Sequence, residues 1–250
     1  MGKLLFVEGV SGVGKTTMVR KLAERLRARG ADVRCYLEFD AANPIDFYAT
    51  AYLSREEYEA IRTEYHAEMS PIAAGEAVLI RYYDGDRPLF EGKLLERLKQ
   101  SEFCYHPARP VPFSAYTSAY ETVWKNFSSA SRAEYVIFDG TLLHHPLNDM
   151  MRNYHVSDAQ AANHVSTLLG ALGDTVWQLF YLYTQDIGAQ LTRAHRDRKQ
   201  NAPTDGEVAF WLERYEKDQY VLKHSVKKYQ AYDVAKIGWD RALEQLLLSV

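Results

Sequence analysis

The sequence predicts a three-layer α/β fold, in which helices cover both faces of a parallel sheet of about five strands. Short apolar runs typical of buried strands alternate with segments of helical periodicity, which is the pattern of parallel strands joined by helical crossovers. The first strand leads straight into a glycine-rich turn and a helix. The chain has 250 residues, of which 47% are hydrophobic and 25% are charged. This length and composition predict a single domain with a core of its own.

Five apolar runs account for the predicted strands. They are residues 4–7, 33–37, 135–138, 176–183 and a short run at 234–237. Helices are predicted at 15–29, ending before Gly30, and at 241–248. Parallel strands joined by short, right-handed crossovers end at the same edge of a sheet, so the side chains that follow these strands are candidates for a functional site.

The first strand continues into Gly9-Val10-Ser11-Gly12-Val13-Gly14-Lys15-Thr16, which has the Gly-x-x-x-x-Gly-Lys-Thr spacing of a phosphate-binding loop. Such a loop wraps a polyphosphate with its amides, while the lysine reaches the terminal phosphates and the threonine hydroxyl ligates magnesium. The positive end of the following helix adds to the same site. The expected nucleotide contacts are Gly9, Ser11, Gly12, Val13, Gly14, Lys15, Thr16 and Thr17.

Three carboxylates follow predicted strands. Asp139 ends the strand at 135–138, where a carboxylate can hold the magnesium shell together with Thr16; the alternative is a helix N-cap. Glu38 and Asp40 follow the second strand, and one of them is the expected base that takes the proton of an acceptor hydroxyl. On a strand they would share one face, and Asp40 is preferred because it lies further out. The alternative for either is a turn-initiating residue.

An arginine cluster follows the fourth strand. Arg193, Arg196 and Arg198 lie in a segment, about residues 190–206, that we expect to form a lid over the transferred phosphoryl group. Planar guanidinium groups match the equatorial oxygens of that group in the transition state. The competing interpretation is a solvated run of charges.

Residues 41–130 are too long for a simple crossover and form a predicted, mainly helical insertion. It includes a helix at 54–67 with a Ser54–Glu57 capping box, a hairpin around the Asp84-Gly85 turn, a loop marked by prolines and a helix at 115–127. The prolines are Pro107, Pro110 and Pro112. We expect this insertion to bind the acceptor substrate; the alternative is that its tyrosines only pack a small subdomain.

Overall composition restricts the partners and the compartment. The net charge of −3 supplies no basic field for a nucleic-acid backbone, so no nucleic-acid partner is expected. Two cysteines, Cys35 and Cys104, are too few for a disulfide framework, and no apolar run reaches the length of a membrane span. These features predict a cytoplasmic protein without a membrane partner, and they leave a homodimer open.

The stretch Phe6-Val7-Glu8-Gly9 through Gly14-Lys15-Thr16-Thr17 resembles the opening of thymidylate kinases and deoxynucleoside kinases. The fourth strand, with its helix and arginine-rich segment, is similar to the same superfamily of P-loop kinases. The resemblance covers the core and not the insertion. It implies a five-stranded parallel sheet, ATP and Mg²⁺ as cofactors, and Lys15 and Thr16 as their contacts.

One departure from that superfamily concerns the acceptor. Its members usually carry an Asp-Arg pair after the third strand, whereas here Gly140 follows Asp139. Without that arginine an anionic acceptor loses an expected clamp, which favours a neutral or cationic hydroxyl compound over a nucleoside monophosphate. His144 and His145 are candidates to line the acceptor pocket. We do not expect both to ligate a metal, because adjacent side chains seldom point the same way.

The predicted activity is ATP-dependent transfer of the γ-phosphate to a hydroxyl of a small molecule such as a nucleoside, a sugar or an antibiotic-like metabolite. The sequence leaves two alternatives: a nucleoside monophosphate kinase, and a P-loop ATPase or switch that acts on a protein partner. A polynucleotide-end kinase is disfavoured by the acidic charge balance.

Overall fold

The computed structural model of the chain describes residues 2–104, 110–128 and 133–250. The strands are β1 (Lys3–Gly9), β2 (Val33–Tyr36), β3 (Thr50–Ser54), β4 (Ile72–Ala74), β5 (Ala77–Arg81), β6 (Tyr83–Asp84), β7 (Arg87–Pro88), β8 (Tyr135–Asp139), β9 (Trp177–Tyr183) and β10 (Gln230–Asp233). The helices are α1 (Lys15–Ala28), α2 (Arg55–Tyr65), α3 (Gly92–Lys99), α4 (Phe113–Ser128), α5 (His144–Asp149), α6 (Asp158–Ala171), α7 (Ile187–Asp197), α8 (Asp205–Val221), α9 (Val234–Ile237) and α10 (Trp239–Ser249). Short π-helical turns follow α5 and α8 at Met150–Tyr154 and Leu222–Val226.

The main sheet has five parallel strands in the order β10-β9-β1-β8-β2. Its register places Val7 of β1 beside Asp139 of β8 on one side and Phe180 of β9 on the other. The carboxyl ends of these strands therefore share one edge with the loop that follows β1, as the sequence predicts. The predicted α/β class and the parallel five-stranded sheet are confirmed.

Alternating side chains of β1 build the two cores. Leu5 belongs to the core that includes Met18 and Leu22 of α1 and Leu246 of α10. Phe6, on the opposite face, belongs to the core formed with helices of the other layer. That core includes Trp124 of α4, Val165 of α6 and Val221 of α8. Because successive strand residues point to opposite faces, the continuous apolar run of β1 gives a sheet covered by helices on both sides.

The predicted position of the fifth strand is wrong. The run at 234–237 is the short helix α9, and the fifth strand precedes it at Gln230–Asp233. Asp233 ends that strand and caps the helix, because its Oδ1 accepts hydrogen bonds from the amides of Ala235 and Lys236. A run of four residues with mixed apolar character cannot be assigned to a strand or a helix by periodicity alone.

The second strand ends at Tyr36, before the carboxylates that were expected to extend it. Glu38 and Phe39 lie in a turn, and Phe39 has φ 67°, in the left-handed region. The expectation that Glu38 and Asp40 share one face of a strand is therefore wrong. The reversal at Phe39 sends the two carboxylates into different surroundings.

Within residues 41–104 and 110–128, the insertion forms the helices α2 to α4 and a small antiparallel sheet in the order β3-β5-β4. The Ser54–Glu57 capping box is confirmed at the start of α2. The predicted hairpin is shorter than expected: β6 and β7 pair around the Asp-Gly turn, whereas β5 pairs with β3 and β4. Pro110 and Pro112 precede α4, and Pro107 lies outside the described residues.

Both cysteines are free thiols, and Cys104 is buried. Among the helices within residues 2–104, 110–128 and 133–250, none has the length and apolar character required to cross a bilayer.

Candidate active site

The glycine-rich loop turns tightly between β1 and α1. Gly12 and Gly14 adopt left-handed conformations with φ 80° and 89°. A Cβ atom on Gly12 would lie 2.6 Å from Cβ of Ala194 in α7. Gln190 of the same helix donates a hydrogen bond from Nε2 to the carbonyl of Gly12 at 2.6 Å. The loop thus requires glycine at this position both for its backbone conformation and for close packing against α7.

Replacing Gly12 with alanine is expected to destabilise the protein by about 1–3 kcal/mol. The left-handed conformation is strained for alanine, and its Cβ atom would collide with Ala194. Thermal unfolding measures this effect, and calorimetry with Mg·ATP should show weaker binding. Gly206→Ala in α8 is the matched control: it has open space around its Cβ position and lies in a helix, where alanine is favourable. Equal destabilisation by both changes would contradict the loop geometry.

A cavity of about 700 Å³ opens above the loop. Its walls are formed by Ser11, Gly12, Gly14, Lys15, Thr16, Thr17, Glu38, Phe39, His144, Ala194, Asp197, Arg198 and Gln200. Lys15 is buried at its base, where Nζ donates to the carbonyl of Val10 at 3.2 Å and lies 3.3 Å from Nδ1 of His144. The cavity thus combines a phosphate-binding loop with a carboxylate and an imidazole.

Asp139 faces the start of α1. The hydroxyl Oγ1 of Thr16 donates to Oδ2 of Asp139 at 2.6 Å, and Oδ1 is buried without a hydrogen-bond partner. Burial raises the pKa of the Asp139 carboxyl, although the charge of Lys15 and the Thr16 hydrogen bond oppose the shift. A buried carboxylate oxygen beside a hydroxyl is a donor set that suits the hard cation Mg²⁺, so these residues fit the predicted metal.

Replacing Asp139 with asparagine is expected to weaken Mg²⁺ binding by about tenfold or more, measured by titrating Mg²⁺ into the ATP-loaded protein. Without Mg²⁺ the same variant should melt at a higher temperature, because the raised pKa means that burial disfavours the ionised carboxylate. Asp174→Asn, on the exposed loop before β9, is the control and should change neither property. Unchanged Mg²⁺ affinity in Asp139→Asn would exclude Asp139 from the metal shell.

Glu8 is a fully buried carboxylate that sequence reasoning did not assign. Its Oε1 accepts from the amide of Leu142 at 2.7 Å and its Oε2 from the amide of His144 at 3.0 Å. Burial raises the pKa of Glu8 to about 7, against the opposing effects of these backbone hydrogen bonds and Lys15. The interaction fixes the first turn of α5 to the end of β1. In the sequence, an acidic residue inside an apolar strand could have indicated that Glu8 is buried and has a specific partner.

Arg214 of α8 holds the same turn from the other side. This fully buried guanidinium donates to the carbonyl of Leu143 at 2.9 Å and to Oδ1 of Asn148 at 2.7 Å, and it pairs with Asp218 at 2.8 Å. The turn is therefore held at its amides by Glu8 and at its carbonyls by Arg214. A rigid support of this kind orients the histidines that follow.

His145 lies between two carboxylates. Its Nδ1 is 2.8 Å from Oδ1 of Asp46, and its Nε2 is 3.2 Å from Oε1 of Glu38. Burial by itself lowers the pKa of His145, but contact with Asp46 and Glu38 outweighs burial and raises it to about 10. Burial likewise opposes ionisation of Glu38, and the hydrogen bond and charge of His145 reverse that effect and lower the Glu38 pKa. The chain thus holds Glu38 ionised with one of its oxygens fixed.

His144 approaches the same carboxylate. Its Nε2 lies 3.8 Å from Oε1 of Glu38, its Nδ1 lies 3.3 Å from the carbonyl of Gly9, and its ring stacks on Trp211. Burial, followed by the charge of Lys15, lowers the pKa of His144 well below its usual value. The expectation that the two histidines point apart is wrong. Adjacent residues on a helix are separated by about 100° around the axis, so both rings reach a group that lies between them.

The predicted arginines and Asp40 are not gathered in one place. Arg198 lines the cavity, whereas Arg193 and Arg196 are exposed on α7 and Arg196 lies 3.6 Å from Asp197. The side chain of Asp40 accepts a hydrogen bond from the amide of Ala42 at 2.8 Å, which is the geometry of a turn-initiating residue. Of the two candidate bases, Glu38 lines the cavity.

No protein-family model and no curated protein matches the chain. Solved structures that match the chain include shikimate kinase from Bacteroides thetaiotaomicron, at 15% identity, a TM-score of 0.41 and coverage of 99% of this chain and 98% of that chain. A gluconokinase from Sinorhizobium meliloti 1021 has 13% identity, a TM-score of 0.40 and coverage of 99% and 94%. Deoxyadenosine kinase from M. mycoides, solved with bound dATP, has 13% identity, a TM-score of 0.41 and coverage of 98% of each chain. At these identities and TM-scores the likeness is loose, so a functional assignment depends on the site itself.

Proposed function

We propose that this protein is an ATP-dependent phosphotransferase that moves the γ-phosphate to a hydroxyl group of a small molecule. The observation that supports this most is the placement of Glu38 and the phosphate-binding loop in one cavity. A carboxylate that faces the terminal phosphates can accept the proton of an attacking hydroxyl. A nucleotide switch does not require a base for an acceptor hydroxyl.

The loop and its neighbours hold the donor in this proposal. The amides from Gly9 to Thr17 surround the phosphates and Lys15 contacts the β- and γ-phosphates. Thr16 and Asp139 would hold Mg²⁺, directly or through water, and the ion would supply positive charge beside the phosphate oxygens. Arg198, with Arg193 and Arg196 in the proposed lid at about 190–206, would cover the γ-phosphate.

Glu38 acts as the base. The acceptor oxygen attacks the γ-phosphorus while its proton passes to the Glu38 carboxylate, and the bond between phosphorus and the β–γ bridging oxygen breaks to release ADP. His145 and Asp46 are positioning residues. They keep Glu38 ionised before attack and fix the direction of its carboxylate.

The charges around Glu38 favour an acceptor that is neutral or cationic. Asp46 and Glu38 place two carboxylates around the imidazole of His145. Gly140 stands where the kinases that the sequence resembles usually carry an arginine. At the mouth of the cavity, Phe39 is 43% exposed and its ring centre lies 4.5 Å from that of Tyr48. This aromatic pair offers a surface on which a ring of the acceptor can stack. The insertion at 41–130 supplies Asp46 and Tyr48 and is the proposed acceptor-binding segment.

The test is incubation with γ-labelled ATP, Mg²⁺ and a panel of nucleosides, sugars, hydroxylated antibiotics and nucleoside monophosphates. We expect one class of neutral or amine-bearing alcohol to gain the mass of one phosphoryl group. If the label appears solely as inorganic phosphate with every acceptor offered, the protein is an ATPase or switch and the proposal is wrong. Preferred transfer to a nucleoside monophosphate would instead contradict the proposed acceptor class.

A further inference from the structure

Three ligand atoms converge on the wall of the cavity. One ring nitrogen of His144, one ring nitrogen of His145 and a carboxylate oxygen of Glu38 all lie within 4.8 Å of one another. Oε1 of Glu38 is 3.8 Å from Nε2 of His144 and 3.2 Å from Nε2 of His145. Two imidazoles and one carboxylate form a donor set typical of divalent transition metals.

Each histidine has an acceptor behind it. Nδ1 of His145 faces Oδ1 of Asp46 at 2.8 Å, and Nδ1 of His144 faces the carbonyl of Gly9 at 3.3 Å. When Nδ1 of His145 donates its proton to Asp46, Nε2 is left with a lone pair on the side of Glu38. For His144 the same tautomer requires that Nζ of Lys15, also 3.3 Å from Nδ1, donates to the carbonyl of Val10 instead. Histidines that ligate metals are almost always supported in this way by a carboxylate or a backbone carbonyl.

The cluster is also held in place before any ion arrives. The amide of His144 donates to Glu8 and its turn is fixed by Arg214, as described above. Asp46 is buried and its Oδ1 also accepts from the amide of Phe47. A site whose ligands are already oriented requires little reorganisation on binding.

We propose that Glu38, His144 and His145 form a binding site for a divalent transition metal such as Zn²⁺, separate from the Mg²⁺ position at Thr16 and Asp139. The two sites differ in chemistry, since one offers two nitrogens and the other offers oxygens alone. The metal replaces the proton that His145 otherwise shares with Glu38. Under the proposed kinase function the bound ion also occupies the base, so the site is inhibitory.

Cobalt is the probe, because Co²⁺ bound by nitrogen and carboxylate ligands absorbs visible light. The protein, free of nucleotide and Mg²⁺, is titrated with Co²⁺, and Zn²⁺ is then added to displace it. We expect one equivalent of Co²⁺ with d–d bands and no thiolate band in the near ultraviolet, which excludes Cys35 as a ligand. Absence of these bands, or a thiolate band in their place, would overturn the proposal. This test does not use kinase activity, so its failure leaves the proposed function untouched.

Variants identify the ligands. His145→Asn should abolish the bands or weaken Co²⁺ binding by at least about tenfold, and Asp46→Asn should weaken it by about 10–100-fold through loss of support for His145. His195→Asn is the matched control, because His195 also pairs with a carboxylate, Glu207, at 3.1 Å, but outside the cluster. Equal affinity in His145→Asn and His195→Asn would overturn the assignment.

A second variant keeps the test decisive if His145→Asn fails to fold. Nζ of Lys15 lies 3.3 Å from Nδ1 of His144, so its positive charge opposes a cation at the cluster. Lys15→Ala should therefore bind Co²⁺ several-fold more tightly than the wild type. The same change is expected to weaken ATP binding, so Lys15→Ala should raise the affinity for Co²⁺ and lower the affinity for ATP. Weaker Co²⁺ binding in Lys15→Ala would contradict the proposed position of the metal.

Discussion

Lys15→Ala is expected to lower phosphoryl transfer by about 10²–10³-fold or more while the protein stays folded. The ammonium group is the buried cation of the phosphate-binding loop, and the charge that develops on the transferred phosphoryl group is stabilised by fixed donors of this kind. Its hydrogen bond to the carbonyl of Val10 contributes only about 1 kcal/mol to stability, so the variant should unfold cooperatively. Label transfer from γ-labelled ATP and thermal unfolding measure the two properties.

Lys223→Ala provides the control for that change. Lys223 is exposed in the π-helical turn after α8, outside the cavity, so its removal should leave turnover and stability unaltered. Normal turnover by Lys15→Ala would refute the assignment of the loop to the donor. A similar loss in both variants would point to a general effect of surface charge instead.

Glu38→Gln is expected to lower kcat by about 10²–10⁴-fold, the usual contribution of a positioned general base, with little change in ATP affinity. Glutamine keeps the size of the side chain and an oxygen that His145 can contact, but it accepts no proton from the acceptor. Steady-state kinetics with the acceptor found in the panel, together with calorimetry of Mg·ATP binding, separate the two effects.

Asp40→Asn is the matched control for the base. Its side-chain oxygen accepts from the amide of Ala42, and asparagine preserves that turn. We therefore expect near-normal kcat. A larger loss in Asp40→Asn than in Glu38→Gln would transfer the role of base to Asp40. If Glu38→Gln weakened ATP binding as much as it lowered kcat, Glu38 would belong to the metal shell rather than act on the acceptor.

The sequence was most informative where local rules determine the structure. The phosphate-binding loop, the strand that precedes it and the helix that follows it could all be predicted, because glycine spacing and an apolar run constrain them directly. The capping box of α2 is similarly local, since Ser54 and Glu57 are three residues apart. Asp139 could be placed beside Thr16 because Asp139 ends one strand and Thr16 follows the loop after the neighbouring parallel strand.

The contacts around Glu38, where we propose that the acceptor binds, could not be predicted from the sequence. Its key contact joins Asp46 in the insertion to His145 after β8, and a pairing across 99 positions leaves no periodic signal in one sequence. The preference for Asp40 over Glu38 assumed a continuing strand. The left-handed turn at Phe39 altered that geometry, and such a conformation in a bulky residue is uncommon enough that no pattern indicates it.

Calorimetric titration of the nucleotide-free protein with Mg·ATP and with Mg·GTP tests whether the amides of the loop between β1 and α1 bind a triphosphate, on which every assigned role depends. We expect one of these nucleotides to bind with one molecule per chain and Lys15→Ala to weaken this binding. Absence of heat from both nucleotides at any Mg²⁺ concentration would contradict it.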